Sequence, residues 1–203
     1  MKKIRNIVFD FGGVLLDWNP RHMYRAFFPN EADMEYFLSN ICTDAWNAEQ
    51  DRGRSFSDGI RLLQSQYPDY QEAIHLYSEK WEDMLKGELP ESTKLLRELK
   101  EQKYALYGLT NWSKEKIQIA YRKYDFFALF DGIVVSGVEE LIKPDKRIYK
   151  VLLDRYGLQA EQSVFIDDNA ANIQAAGELG FKVILFDNIS NVRKQLTELL
   201  TSQ

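Results

Sequence analysis

Five short apolar runs constrain the fold of this chain more than any other feature of its sequence. They are Ile4–Phe9, Tyr104–Leu109, Gly132–Val135, Ser163–Ile166 and Lys182–Phe186, each rich in Val, Ile, Leu or aromatic residues. A continuous apolar run of this length is typical of a strand buried on both faces, as strands of a parallel sheet are. The sequence therefore predicts a parallel sheet that is covered by helices.

Helical patterns separate the later runs. They cover Ser92–Lys103, Ser113–Tyr124, Asp145–Tyr156, Ala170–Leu179 and a final stretch from about Asn191 to Leu200. Ser92 is a candidate N-cap, and Gly157 and Gly180 are candidate helix stops. Alternating strands and helices imply right-handed βαβ units, so we predict an α/β fold with a doubly wound, Rossmann-like core.

Residues 17–89 break this alternation. They show helical periodicity and no convincing strand, and the stretch is too long for one crossover. We predict that this cap segment is an inserted helical bundle beside the carboxyl ends of the strands. The predicted domains are then a core of residues 1–16 and 90–203 and a cap of residues 17–89.

Composition excludes several classes of protein. A net charge of −5 argues against non-specific nucleic-acid binding. The sequence has no stretch of 18 apolar residues, so we predict no membrane span. The basic N-terminus resembles the start of a signal peptide, but Asp10 interrupts the apolar run and no small-residue cleavage site follows. One cysteine, Cys42, cannot form an internal disulfide. We expect a cytoplasmic protein, and the acidic surface without an apolar strip favours a monomer.

Polar residues follow four of the predicted strands. The residues at these strand ends and in the loops after them are Asp10, Thr110, Asn111, Lys143, Asp167 and Asp168. Ligands of open α/β sheets bind outside the carboxyl ends of the strands. The sequence therefore predicts one cleft that holds three carboxylates, a hydroxyl and an ammonium group.

This set of groups has a chemical logic. Three close carboxylates repel one another unless a cation lies between them, and oxygen ligands of this kind favour Mg²⁺. A lysine and a hydroxyl beside them can bind the oxygens of a phosphoryl group. A carboxylate can also act as a nucleophile and form an aspartyl-phosphate, while positive charge stabilises the transferred group.

The stretches VFDFGGVL, GLTN, IKPD and VFIDDN occur in this order on the predicted strand ends. Together they resemble the four motifs of the haloacid dehalogenase-like hydrolase superfamily, and the resemblance extends over the whole chain. The cap segment looks like the small helical cap of that superfamily. The resemblance implies Asp10 as the nucleophile and Thr110 and Lys143 as phosphate-binding residues.

The resemblance also implies a metal site. It assigns Asp10, Asp167, Asp168 and the backbone carbonyl of Gly12 to Mg²⁺, and it favours Asp168 over Asp167 as the direct ligand. Asp167 and Asp168 are equally typical of a helix N-cap, and both roles are compatible.

Gly12 is a departure from the family pattern. Phosphatases of the superfamily usually carry a second aspartate two residues after the nucleophile, as general acid and base, and glycine has no proton to give. Some members that resemble this chain, including sugar-phosphate phosphatases, also have glycine here. We expect leaving-group acidity to matter more than usual. Asp17 is a candidate substitute acid because it follows the first turn.

Several further candidates have equally ordinary interpretations. Asn111 suits a substrate contact or a structural role, and Trp112 is the aromatic residue that we expect near the cleft. Arg52 is a candidate for binding an anionic substrate group, although its neighbours are typical of a solvated turn. The remaining candidates from the cap segment, which suit either a pocket or plain packing, are Trp18, Asn19, Trp46, Asn47 and Asp51.

The leading prediction is hydrolysis of a small phosphomonoester, with a sugar phosphate favoured by resemblance. A 2-haloacid dehalogenase is the first alternative. Dehalogenases of the superfamily work without metal and lack the paired acidic residues, so Asp167 and Asp168 speak against it. A non-catalytic protein that binds a phosphorylated ligand is the second alternative. Gly12 supports that reading, and the retention of Asp10 weighs against it.

Overall fold

A computed structural model describes residues 3–201 of the chain. All five predicted strands form. The seven strands of this described range, in chain order, are β1 (Asn6–Phe9), β2 (Leu16–Trp18), β3 (Leu85–Glu88), β4 (Ala105–Thr110), β5 (Gly132–Val135), β6 (Ser163–Asp167) and β7 (Lys182–Leu185). Five of them make a fully parallel sheet in the order β5-β4-β1-β6-β7. This confirms the predicted α/β fold with a Rossmann-like core.

The strand order reverses at β1, which has β4 on one side and β6 on the other. The register places Phe9 opposite Gly108 on β4 and opposite Ile166 on β6. The residues that follow these positions therefore emerge side by side at the carboxyl edge of the sheet. A reversal of this kind opens the crevice in which such sheets bind ligands.

Eleven α-helices accompany the strands within the described part of the chain. They are α1 (Arg21–Phe27), α2 (Glu31–Asn40), α3 (Asp44–Asp51), α4 (Phe56–Gln66), α5 (Gln71–Glu79), α6 (Pro90–Glu101), α7 (Ile117–Lys123), α8 (Ser136–Glu139), α9 (Lys146–Tyr156), α10 (Ala170–Glu178) and α11 (Ile189–Thr201). From residue 3 to residue 201, no helix has both the length and the apolar character needed to cross a bilayer.

Helices cover both faces of the sheet because successive side chains of each strand point to opposite faces. Ile7 and Phe9 of β1 belong to the apolar cluster that includes Leu96 of α6 and Leu196 of α11. Val8, between them in sequence, belongs to the cluster formed with α9 and α10. This packing explains why the strands read as continuous apolar runs.

The cap segment contains helices α1–α5, but the prediction that it lacks strands was wrong. Its two ends form an antiparallel ribbon, in which Leu16 of β2 pairs with Glu88 of β3 and Asp17 pairs with Gly87. These strands have three and four residues and include polar positions, so neither gives a period-2 pattern. The ribbon joins the helices of the cap segment to the sheet.

Two helix starts differ from the prediction. Helix α6 begins at Pro90, which suits a first helical position, and Ser92 is buried inside it with no capping role. Helix α7 begins at Ile117, four residues after Ser113. The predicted stop of α9 at Gly157 is confirmed, because this residue adopts the left-handed conformation with φ of 64°.

Candidate active site

Asp10 lies directly after β1, where the backbone fixes its side chain. Its Oδ1 accepts a hydrogen bond from the Phe11 amide at 2.7 Å, and its Oδ2 lies 2.9 Å from the Lys143 Nζ. Lys143 is buried and also donates to Asp167 Oδ2 at 2.7 Å and to the Leu109 carbonyl at 2.8 Å. These three acceptors use all three ammonium protons. Lys143 therefore orients Asp10, and direct contact with a substrate would require it to exchange one of these bonds.

The charges at this site do not balance. One carboxylate oxygen from each of Asp10, Asp167 and Asp168 lies within 4.8 Å of the others, and a single ammonium group pairs with two of them. Burial raises the pKa of Asp10 to about 7, with Lys143 opposing the rise and Asp167 adding to it. Burial opposes the charged form of Lys143, but Asp10 and Asp167 outweigh burial and raise its pKa. With all three carboxylates ionised, the cluster keeps a net negative charge that a bound cation would neutralise.

Asp167, the last residue of β6, and Asp168, which follows it, differ in burial and in their hydrogen bonds. Asp167 is fully buried, and its oxygens accept hydrogen bonds from the Lys143 ammonium, the Asn169 amide and the Asn172 side chain. Asp168 is exposed and lines the cavity described below. The N-cap of α10 is Asn169, so neither aspartate has the predicted alternative role as cap.

The donor set fits Mg²⁺. Asp10 and Asp168 offer hard carboxylate oxygens at one edge of a cavity that Gly12 also lines, and such a cavity leaves space for the waters that Mg²⁺ retains. Asp167 contributes negative charge while its oxygens remain bound to protein donors. This arrangement supports Asp168 as the direct ligand.

Thr110, the last residue of β4, and Asn111, which follows it, differ in their hydrogen bonding. The Thr110 Oγ1 is buried and has no hydrogen-bond partner among the described residues. Asn111 donates from its side chain to the Lys143 carbonyl at 3.0 Å and accepts from the Lys143 amide at 2.8 Å. Its side chain therefore fixes the loop that carries Lys143, although Asn111 also lines the cavity.

A cavity of about 320 Å³ opens over Asp10. The core and the cap segment both line it, through Asp10, Gly12, Gly13, Trp18, Asn47, Asp51, Trp81, Asn111, Trp112 and Asp168. Trp81 lies between the other two tryptophans, with ring centroids 6.4 Å from Trp18 and 5.5 Å from Trp112. The indole N–H groups of Trp18 and Trp112 are buried without a partner in the described structure. The cavity thus joins aromatic walls to a carboxylate cluster.

Four candidates from the cap segment do not line this cavity, namely Asp17, Asn19, Trp46 and Arg52. Arg52 was a candidate for binding an anionic substrate group, with a solvated turn as the alternative. It is not a lining residue, and its Nε lies 3.5 Å from Glu49 on the surface. Asp17 was a candidate acid, but its Oδ1 pairs with the His22 Nε2 at 2.8 Å outside the cavity. Trp46 packs inside the cap segment, with its ring 5.0 Å from that of Tyr77.

Two lining residues were not among the site residues predicted from the sequence. Trp81 shares a helical stripe with apolar residues of the cap segment, so its pattern indicated packing alone. Gly13 has a φ of +74°, and a Cβ at this position would lie 2.2 Å from Asp168 Oδ2. The consecutive glycines after β1 were a signal for this close approach.

Asp51 is the last residue of α3 and brings a carboxyl group from the cap segment into the cavity. Its Oδ2 accepts from the Asn47 side chain at 3.1 Å, and its carbonyl accepts from the Ser136 Oγ at 2.6 Å. Burial raises the pKa of Asp51 to about 7, the Ser113 amide opposes the rise, and Asp10 adds to it.

Comparison with known proteins adds a family context. A model of the haloacid dehalogenase-like hydrolases matches residues 4–180. The chain is 29% identical to the sesquiterpene phosphatase astK of Aspergillus oryzae over 174 residues, or 85% of each protein. It is 24% identical to (S)-2-haloacid dehalogenase 1 of a Pseudomonas species, over 94% of this chain and 87% of that protein.

Other relatives are much longer, since the chain spans 18% of drimenol cyclase drtB of Aspergillus calidoustus, with 35% identity over 97 residues. Among solved structures, a HAD-like family hydrolase of Porphyromonas gingivalis, whose assignment is itself predicted, superposes with a TM-score of 0.76. It has 26% identity and complete coverage of both chains.

Proposed function

Because the chain belongs to the haloacid dehalogenase-like hydrolases, we propose that it hydrolyses a small phosphomonoester with Mg²⁺, through an aspartyl-phosphate on Asp10. The observation that carries this proposal is the cluster of three carboxylate oxygens within 4.8 Å beside a lysine-bound Asp10. A site that transfers phosphate needs a nucleophile and positive charge for the phosphoryl oxygens. The excess negative charge of the cluster supports metal binding there.

Each residue has a separate part in this mechanism. Lys143 holds the Asp10 carboxylate in one orientation, which leaves an oxygen to attack phosphorus. The unpaired Thr110 hydroxyl can donate to a phosphoryl oxygen. Bound Mg²⁺, held by Asp10, Asp168 and the Gly12 carbonyl, would neutralise charge on the transferred group.

The cavity also supports a substrate class. Three tryptophans line it, and among the described residues no lysine or arginine does. We therefore propose an uncharged organic group on the phosphate, with residues 17–89 acting as a cap domain over it. Sugar phosphates fit this description, and the likeness to a sesquiterpene phosphatase adds isoprenoid phosphates to the candidates.

Dehalogenation is the second candidate, because a 2-haloacid dehalogenase aligns over most of the chain. It would use Asp10 to attack carbon and release halide. The carboxylate cluster favours the phosphatase, since attack on a neutral carbon centre needs no cation beside three acidic groups.

The test is phosphate release from p-nitrophenyl phosphate and from a panel of sugar, isoprenoid and nucleotide phosphates, with Mg²⁺ and with chelator. Asp10→Asn is the matched variant, since it keeps the shape of the side chain and removes the nucleophilic charge. We expect release that requires Mg²⁺ and disappears in Asp10→Asn. Halide release from 2-haloacids without metal, together with no phosphate release, would favour the dehalogenase.

A further inference from the structure

The proposed reaction needs a proton donor that the first turn does not provide. An alkyl leaving group departs as a poor alkoxide unless an acid protonates it. Gly12 has no side chain, and a Cβ built there meets nothing within 4 Å. The space that an acid would occupy after β1 is therefore open.

The residues lining the cavity narrow the choice of acid. Three of them carry a carboxyl group, namely Asp10, Asp51 and Asp168, and within residues 3–201 the lining includes no His, Cys, Tyr or Lys. Asp10 is the proposed nucleophile and Asp168 the proposed metal ligand. Asp51 is the acid that has no other part in the mechanism.

The position of Asp51 is fixed from both parts of the molecule. The Asn47 side chain, one turn earlier on α3, donates to its carboxylate at 3.1 Å. The Ser136 hydroxyl, from the core, donates to its main-chain carbonyl at 2.6 Å and accepts from the Trp112 amide at 2.8 Å. A donor held from two sides suits proton transfer, which depends on orientation.

The surroundings of Asp51 move its titration towards neutral pH, so that both its protonated and its ionised form are available there. Burial is the main cause of its pKa of about 7, with the Ser113 amide opposing and the Asp10 charge adding to it. The charged groups that share the cavity are Asp10 and Asp168, and Tyr77 interacts with Asp51 from within the cap segment. An acid with a pKa close to the working pH can both give and take a proton.

We propose that Asp51 is the general acid and base of this site, in place of the side chain that Gly12 lacks; the inference rests on the proposed phosphatase function. As an Asp10 oxygen bonds to phosphorus and the ester P–O bond breaks, the Asp51 carboxyl gives its proton to the departing oxygen. Water then attacks the aspartyl-phosphate, Asp51 takes a proton from that water, and the Asp10–phosphorus bond breaks. Phosphate leaves, with Asp10 ionised and Asp51 protonated again.

The test compares an aryl and an alkyl ester. p-Nitrophenolate leaves without a proton, whereas the alkoxide of a simple alkyl phosphate does not. We expect Asp51→Asn to lower kcat/KM for the alkyl ester by about 10²-fold to 10³-fold and for p-nitrophenyl phosphate by only a few-fold. The alkyl-ester activity of the wild-type protein should fall above the pKa of Asp51, and this limb should vanish in Asp51→Asn.

Two further variants complete the design. Asp17→Asn is the matched control, because Asp17 is also in the cap segment but lies outside the cavity; it should keep the wild-type ratio of alkyl to aryl activity. Asp51→Glu should restore part of the alkyl activity together with its alkaline limb. Thermal unfolding checks that each variant folds.

Equal losses on both esters, or an unchanged alkyl-ester profile in Asp51→Asn, would overturn the assignment of Asp51 and leave the phosphatase function standing. A wild-type protein that hydrolyses neither ester would overturn the phosphatase function and this inference together.

Discussion

The Thr110 hydroxyl is a buried polar group without a protein partner. Such a group costs about 1–3 kcal/mol relative to a bonded one, so folded proteins rarely retain it without a use. It lies at the end of β4, one strand from Asp10, and we propose that its partner is a ligand. Removing this hydroxyl should therefore preserve or increase folding stability while it lowers catalytic activity.

Thr110→Val tests this contrast. The unfolding free energy should stay unchanged or rise by up to about 1 kcal/mol, because the lost hydroxyl bonds nothing. Phosphatase kcat/KM should fall by about 10²-fold, as for the loss of one donor to a developing charge. Chemical denaturation and steady-state kinetics measure the two effects.

Thr93→Val is the control for that substitution. Thr93 is also buried and does not line the cavity, but its hydroxyl donates to the Pro90 carbonyl at 3.2 Å. It should lose about 0.5–1.5 kcal/mol of stability and keep its activity. Full activity in Thr110→Val would contradict the ligand-binding role of Thr110.

At the scale of elements, the turn after β1 determines how closely the backbone of the first strand end approaches the Asp168 carboxylate. Gly13 has a left-handed backbone, and the site of its absent Cβ is filled by the Asp168 carboxylate. The turn thus sets the position of Asp168 relative to Asp10. Gly12, the preceding residue, has open space around it.

Gly13→Ala should therefore weaken Mg²⁺ binding by at least about 10-fold, since the added methyl group displaces Asp168 and its backbone is strained. Isothermal titration calorimetry measures the affinity. Gly12→Ala is the comparison variant, and it should lose less folding stability because its Cβ meets no neighbour. Equal Mg²⁺ affinity in Gly13→Ala and wild type would show that Asp168 is not a ligand.

The strands of the core were predictable because burial on both faces leaves continuous apolar runs, and each of the five runs forms a strand. The strands β2 and β3 were not, because three or four paired residues with polar side chains give no periodic signal. The start of α6 was missed for a different reason: Ser92 has the chemistry of an N-cap, but Pro90 begins the helix two residues earlier.

At the scale of the whole molecule, the site combines two parts of the chain. The strand-end residues converge because parallel strands share one edge. Asp10, Thr110, Lys143, Asp167 and Asp168 could therefore be predicted together. Trp18, Asn47 and Asp51 of the cap segment were candidates and do line the cavity. The sequence could not separate them from Asn19, Trp46 and Arg52, because the difference depends on how the helices pack on the sheet. Arg52 and Asp51 are neighbours with similar sequence signals, yet only Asp51 reaches the cavity.

Metal binding should stabilise the whole fold. A ligand that binds only the folded state at a hundredfold excess over its Kd adds about 2.7 kcal/mol, which raises Tm by about 5–10 °C for a chain of this size. We expect this rise on adding Mg²⁺ and its reversal by chelator. Asp168→Asn should abolish the rise.

The exposed Asp69 supplies the control, because Asp69→Asn leaves the carboxylate cluster intact and should keep the full response to Mg²⁺. If adding Mg²⁺ leaves the Tm of the wild-type protein unchanged, these carboxylates do not form a metal site.

The hydrogen bond from Ser136 to the Asp51 carbonyl has a consequence for the timing of the reaction. It joins residues 85 positions apart, one in the core and one in the cap segment. If these parts separate to let the alcohol product leave, Asp51 departs with the cap segment while Asp10, Lys143 and Thr110 stay in the core. A phosphate on Asp10 would then lack its base and persist until the parts meet again. The lifetime of the phosphorylated protein would thus be set by the rate at which the parts meet again.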